Sequence, residues 1–199
     1  MLTRSNCFRL APFALFGTLA SACSDPEPAI AKVFASAIVT SGNTVGVNDS
    51  SICQLQNERL FSVGTEADPV SDGTSVAGAG VGIECIVAPS GDGFSVTATV
   101  RVQGKGSVFF QGELTKTGVQ TGLHATFATD DIGVFDATGA KTCTFTYTPL
   151  ANTPDNPPIA AGRIWGTLAC EEITNNSQSP DRVCRGTSQI RLENCAQSK

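Results

Sequence analysis

The feature that most constrains this chain is the alternation across residues 93–102. Phe94, Val96, Ala98, Val100 and Val102 are apolar, while Ser95, Thr97, Thr99 and Arg101 between them are polar. Successive side chains of an extended chain point to opposite sides, so period two marks a strand with one face buried and the other wet. The same pattern returns elsewhere. Residues 79–87 carry Val81, Ile83, Cys85 and Val87 on one side, and 122–129 carry Leu123, Ala125 and Phe127. Residues 141–148 carry Cys143, Phe145 and Tyr147, and 161–170 carry Ile164, Leu168 and Cys170. Residues 107–114 form a further strand, and 31–40 read as strand or short helix, with the neighbouring strands favouring strand. Gly- and Pro-rich stretches at 89–93, 130–133 and 149–158 separate these segments. Short strands at this spacing predict an all-β chain: a single antiparallel β-sandwich or barrel-like domain over residues 30–199.

One hairpin can be tested for register. Gly104-Lys105-Gly106 turns the chain from 93–102 into 107–114. Placing Val100 opposite Phe109 and Val96 opposite Glu113, as for a two-residue loop, would mix the faces. A three-residue turn that sets Val102 opposite Val108, Val100 opposite Phe110 and Val96 opposite Leu114 keeps the apolar side together, with Gly106 left-handed.

The chain begins with a separate signal. Residues 1–9 carry Arg4 and Arg9, residues 10–20 are an apolar run, and Ala20-Ser21-Ala22 supplies small residues before Cys23. This is the layout of a secretory signal over residues 1–22, and the run is too short for a membrane span of about 20 residues. Leu19-Ala20-Ser21-Ala22-Cys23 resembles the lipobox of bacterial lipoproteins, with the usual leucine one position early. The resemblance implies that Cys23 becomes the acylated N-terminus and anchors the chain in the lipid bilayer through acyl chains such as palmitate. Ser24 after the cysteine, in place of Asp, implies sorting to the outer membrane. Residues 23–29 would then be a short tether.

Cysteine counting agrees with this. Of eight cysteines, Cys7 lies in the signal and Cys23 would be lipidated, leaving Cys53, Cys85, Cys143, Cys170, Cys184 and Cys195, enough for three disulfides. If 141–148 and 161–170 pair with Phe145 opposite Leu168, Cys143 faces Cys170 within bonding range. Proximity in sequence then suggests Cys184 with Cys195, which leaves Cys53 for Cys85; the main rival links Cys85 to Cys170. A zinc site is not expected, since no C-x-x-C occurs and His124 is the only histidine.

Chemistry is sparse. Removing Arg4 and Arg9 takes the formal net charge from −5 to −7, which argues against nucleic acid as a partner. His124 points outward on the strand reading and could recruit Asp130 or Asp131, but no G-x-S-x-G elbow accompanies it. Glu66, Asp68 and Asp72 cluster without EF-hand spacing and read as solvated turn acids. Trp165, the only tryptophan, points outward beside Thr167, where it could stack a sugar unless a loop covers it. Asn48 and Asn175 open glycosylation sequons that matter only on a eukaryotic route. The expectation is a cell-envelope lipoprotein, a non-enzymatic structural or binding module that needs no cofactor or metal. Its partner would be a glycan or an envelope protein. The alternatives are a carbohydrate-binding module using Trp165 and an exported hydrolase.

Overall fold

The structure is a computed structural model that describes residues 29–41, 59–130, 133–137, 142–148, 157–175 and 182–198. Cys23, Cys53 and the signal lie outside the described residues. The described chain forms β1 (Lys32–Ser41), β2 (Arg59–Val63), β3 (Val70–Ser71), β4 (Ser75–Val76), β5 (Ala79–Ser90), β6 (Gly93–Val102), β7 (Gly106–Leu114), β8 (Val119–Thr129), β9 (Gly133–Ala137), β10 (Cys143–Tyr147), β11 (Ile159–Ala160), β12 (Arg163–Asn175) and β13 (Arg182–Glu193). Neighbours run antiparallel in the order β2-β1-β13-β12-β10-β8-β7-β6-β5-β4, with β9 joining β8 and β12.

The ends of this sheet are tied together. Val87 N donates to Ala196 O, and Ala196 N to Cys85 O, each at 2.9 Å. Nearby, Asp72 N donates to Ala31 O at 2.8 Å, while Ile83 N donates to Asp72 Oδ1 at 2.7 Å. The sheet therefore curls into a barrel around one core, the barrel-like form of the expected all-β domain. Asp72, read from the sequence as a solvated turn acid, is exposed as expected and also straps Ala31, beside β1, to β5.

Apolar residues fill the interior: Phe110, Phe127, Phe135 and Phe145 are fully buried, with Phe110 and Phe145 stacked at 5.7 Å between centroids. Glycines make room for these rings. A Cβ on Gly166 would lie 2.3 Å from Phe145 Cε1, and one on Gly186 would lie 2.5 Å from Phe127 Cε2. Threonine, serine, glutamine and charged side chains predominate on the outer face, beside a few apolar ones such as Phe34, Phe109 and Val134, whereas a transmembrane barrel is apolar outside. Among the described residues no helix is long and apolar enough to cross a membrane.

The hairpin of β6 and β7 keeps the expected parity with a different register. Its three-residue turn, 103–105, sets Val102 opposite Gly106, Val100 opposite Val108 and Phe94 opposite Leu114. A pair of Val102 with Val108 would leave five residues, 103–107, in the loop; the three-residue turn moves the pairing by two residues, so the apolar faces still coincide. Gly104, at φ +70°, takes the left-handed turn position, while Gly106, at φ +154°, pairs in the ladder with the site of its Cβ only 2.2 Å from Ala128 O.

Two disulfides are defined. Cys143 bonds Cys170, and Phe145 lies opposite Leu168, as the register predicts. Cys85 bonds Cys195, which corrects the expected Cys184–Cys195 and Cys53–Cys85 pairs and the rival Cys85–Cys170. The reason is β13: Cys184 stands near the start of this extended strand and Cys195 just past its end, which holds them about 30 Å apart. Cys184 is also disulfide-bonded, so every cysteine among the described residues is oxidised. Bonds of this kind place the domain in an oxidising, extracytoplasmic setting.

Tyr147, the only tyrosine, closes the end of β10. Its hydroxyl donates to Thr115 O at 2.5 Å and its ring packs edge-on against Phe145. The loop it reaches is also held by Gln120, whose Oε1 accepts from Thr115 N and whose Nε2 donates to Thr117 O. Burial pushes the Tyr147 phenol up from 10.0 to about 12. The unfolded chain therefore loses this proton first as pH rises. Stability is fully retained below pH 10 and falls between pH 10 and about 12. A phenolate absorbance titration should give one transition near pH 12 in the folded protein, moving towards 10 in urea; a folded midpoint near 10 would refute the burial effect.

Candidate functional site

The outer faces of β6, β7 and β8 form a polar groove. Inward pointing of Val96, Phe110, Leu123 and Ala125 sends Ser95, Thr97, Gln111, Glu113 and His124 outward. Thr97, Gln111 and His124 make one row across the three strands, and Ser95 sits opposite Glu113 in the next. These five residues, with Gly112, Gly122 and Val96 beneath, line an open groove of about 300 Å³.

His124 is held in place. Its Nε2 lies 2.9 Å from Asp136 Oδ1, with the ring nitrogen donating because a carboxylate only accepts. The same oxygen accepts from Thr126 Oγ1 at 2.7 Å, and Phe109 packs edge-on against the imidazole. The carboxylate partner is thus Asp136, not Asp130 or Asp131. Asp130 is an exposed turn residue, and Asp131 lies outside the described residues. Asp136 belongs to β9, a strand hidden in the sequence beside a turn-rich stretch. Two strand spacings separate Thr97 from His124, roughly 10 Å, and Ser95 is farther still. Neither of these two hydroxyls reaches the imidazole, while Thr126, which shares the Asp136 oxygen with it, donates its hydroxyl to that carboxylate.

Trp165 forms a second feature. It points away from the barrel interior, as expected, yet it is only 3% exposed. The guanidinium groups of Arg163 and Arg191 lie over the ring at 5.1 and 5.2 Å from its centroid. Arg191 is fixed in turn: Nε donates to Glu193 Oε1 at 3.0 Å and Nη1 donates to the carbonyl oxygen of Glu66. An indole covered in this way offers no open face for a sugar to stack on, which corrects the reading of Trp165 as a ligand platform. Beside it, Phe34, Glu66, Thr148 and Gln189 border a cleft of about 80 Å³. Trp165 Nε1 is buried without a hydrogen-bond partner among the described residues, a donor that a water in the cleft would satisfy.

The remaining candidates disperse. Glu66, Asp68 and Asp72 do not converge, and among the described residues no group of three or more His, Cys, Asp or Glu could hold a metal ion. Asn175 of the second sequon is fully buried at the end of β12, and Asn48 lies outside the described residues. Comparison of the chain with protein-family models, with curated proteins and with solved structures finds no match.

Proposed function

We propose that this chain is an exported bacterial cell-envelope lipoprotein, a disulfide-locked binding or structural module held at the membrane by acyl chains on Cys23. The observation that carries the reading is the oxidation of all five described cysteines, the expected state of a domain matured outside the cytoplasm. The three-part signal ending at Cys23 supplies the route. The first strand starts at Lys32, nine residues after Cys23, so an anchor there would hold the barrel within about 30 Å of the bilayer. More than one acyl chain would make the attachment firm.

Metabolic labelling with palmitate tests this. The wild-type chain should incorporate label and fractionate with outer membranes, while Cys23→Ser should be unlabelled and released in soluble form. Equal release of both proteins would refute the anchor. Label that stays with inner membranes would refute the sorting drawn from Ser24.

A further inference from the structure

We propose that the groove on the outer face of β6–β8 binds a short neutral saccharide. This rests on reading the domain as a binding module, but not on the Cys23 anchor. The proposal starts from hydrogen bonds that the protein leaves unmade. Ser95 and Glu113 are direct cross-strand partners, as are Thr97 and Gln111, positions from which side chains commonly bond one another. Among the described residues none of these four side chains hydrogen-bonds to another protein group, whereas neighbouring polar side chains do. Asp136 takes bonds from His124 and Thr126, and Gln120 makes four bonds to the 115–118 loop. Ser95 is the sharpest case, since it is only 8% exposed and its hydroxyl still lacks a protein partner.

The groove is open where those groups point. Gly122 borders it without a side chain, and nothing lies within 4 Å of where its Cβ would sit. Its volume of about 300 Å³ falls at the lower end of the range for small-molecule sites. Its breadth, two strand spacings, is roughly 10 Å.

The lining chemistry selects the ligand. Two hydroxyls, an amide, a carboxylate and an imidazole provide interspersed donors and acceptors, the complement of a polyol whose every hydroxyl both donates and accepts. No lysine or arginine lines the groove, so phosphate, sulfate or a uronate would meet Glu113 without a countercharge. A cationic amine is the competing class, because it would pair with Glu113. Salt separates the two, since attraction between exposed charges is screened while hydrogen bonding to a neutral sugar is not.

The experiment uses the exported, oxidised full chain and follows backbone amide shifts by NMR. The probes are neutral gluco-, manno- and galacto-oligosaccharides and N-acetylated chito-oligosaccharides at millimolar concentration, with deacetylated chito-oligosaccharides as the cationic arm. A neutral saccharide should shift the amides of 95–97, 111–113 and 122–124 with an affinity that does not change with salt. Gln111→Ala and Glu113→Gln, both on the solvent face, should each weaken it roughly tenfold. Gln189→Ala, in the Trp165 cleft, should leave it unchanged. Absence of shifts at these amides with every neutral probe would overturn the proposal. So would variants that bind like wild type, or binding confined to the deacetylated probe and lost in high salt. Each of these failures would leave the palmitate result untouched, so the groove and the anchor stand or fall separately.

Discussion

Replacing Cys85 and Cys195 together with alanine is expected to lower the unfolding free energy by about 4 to 5 kcal/mol. The bond links residues 110 apart in sequence, and closing so long a loop removes a large share of the unfolded chain's conformational freedom. The Cys143–Cys170 bond spans 27 residues and on the same basis contributes about 3.5 kcal/mol. The longer bond also fastens a set of backbone contacts. Cys195 N donates to Gly162 O, Gly162 N to Val87 O, Val87 N to Ala196 O and Ala196 N to Cys85 O. Two of these bonds attach Ala196 to β5, and the other two tie Gly162 to Cys195 and to β5, so that together they close the barrel. In the double variant the amides of Val87 and Ala196 should therefore exchange with solvent far faster than those of β6 and β7. Urea denaturation and hydrogen exchange read the two effects. A loss below about 1 kcal/mol, with both amides still protected, would show that the ladder closes the barrel without the crosslink.

The second large effect is expected at Gly166. A methyl group there would sit 2.3 Å from Phe145 Cε1 and 2.4 Å from Thr146 O. The phenyl ring cannot move freely, because it stacks on Phe110 inside a filled barrel. Thr146 O cannot retreat without disturbing the β10–β12 ladder, in which Thr146 pairs with Thr167. Overpacking of a filled core costs about 1 to 3 kcal/mol, and Gly166→Ala should reach the upper end because one of its clashes is with backbone. Shortening the ring in Gly166→Ala/Phe145→Leu should recover part of the loss, since residues in contact do not act additively. If Gly166→Ala unfolds at the same urea concentration as wild type, the close approach of β10 to β12 is wrong.

How much of this was legible in the sequence depended on what lined each inner face. Strand β6 carries five apolar residues in strict alternation, and its limits could be read directly. The alignment of β10 with β12 followed from apolar residues on both strands, and with it the Cys143–Cys170 bond. Strand β13 escapes the pattern because Gly186 and Ser188, neither of them a large apolar residue, stand on its inner face, which weakens the contrast that period two depends on. The wrong partner for Cys195 followed from that omission. Strand β12 was read five residues short, because its register shifts between Cys170 and Ile173; Glu171 and Glu172 are both exposed there, and the alternation breaks. The sites suffered from the same gaps. Trp165 is covered partly by Arg191 of β13, and His124 is positioned by Asp136 of β9, so neither environment could be drawn without the strand that supplies it.

The pairing of the first strand with the last also sets the order in which the molecule can be made. Lys32 lies opposite Glu193 and Ser41 opposite Cys184, so β1 waits for β13 to be synthesised before it has that neighbour. A nascent chain lacking its final residues has neither this seam nor the Cys195 tail that meets β5. Contacts between such distant parts of a sequence form slowly, on a scale of roughly milliseconds to seconds. The barrel therefore stays open until β13 is available to pair with β1.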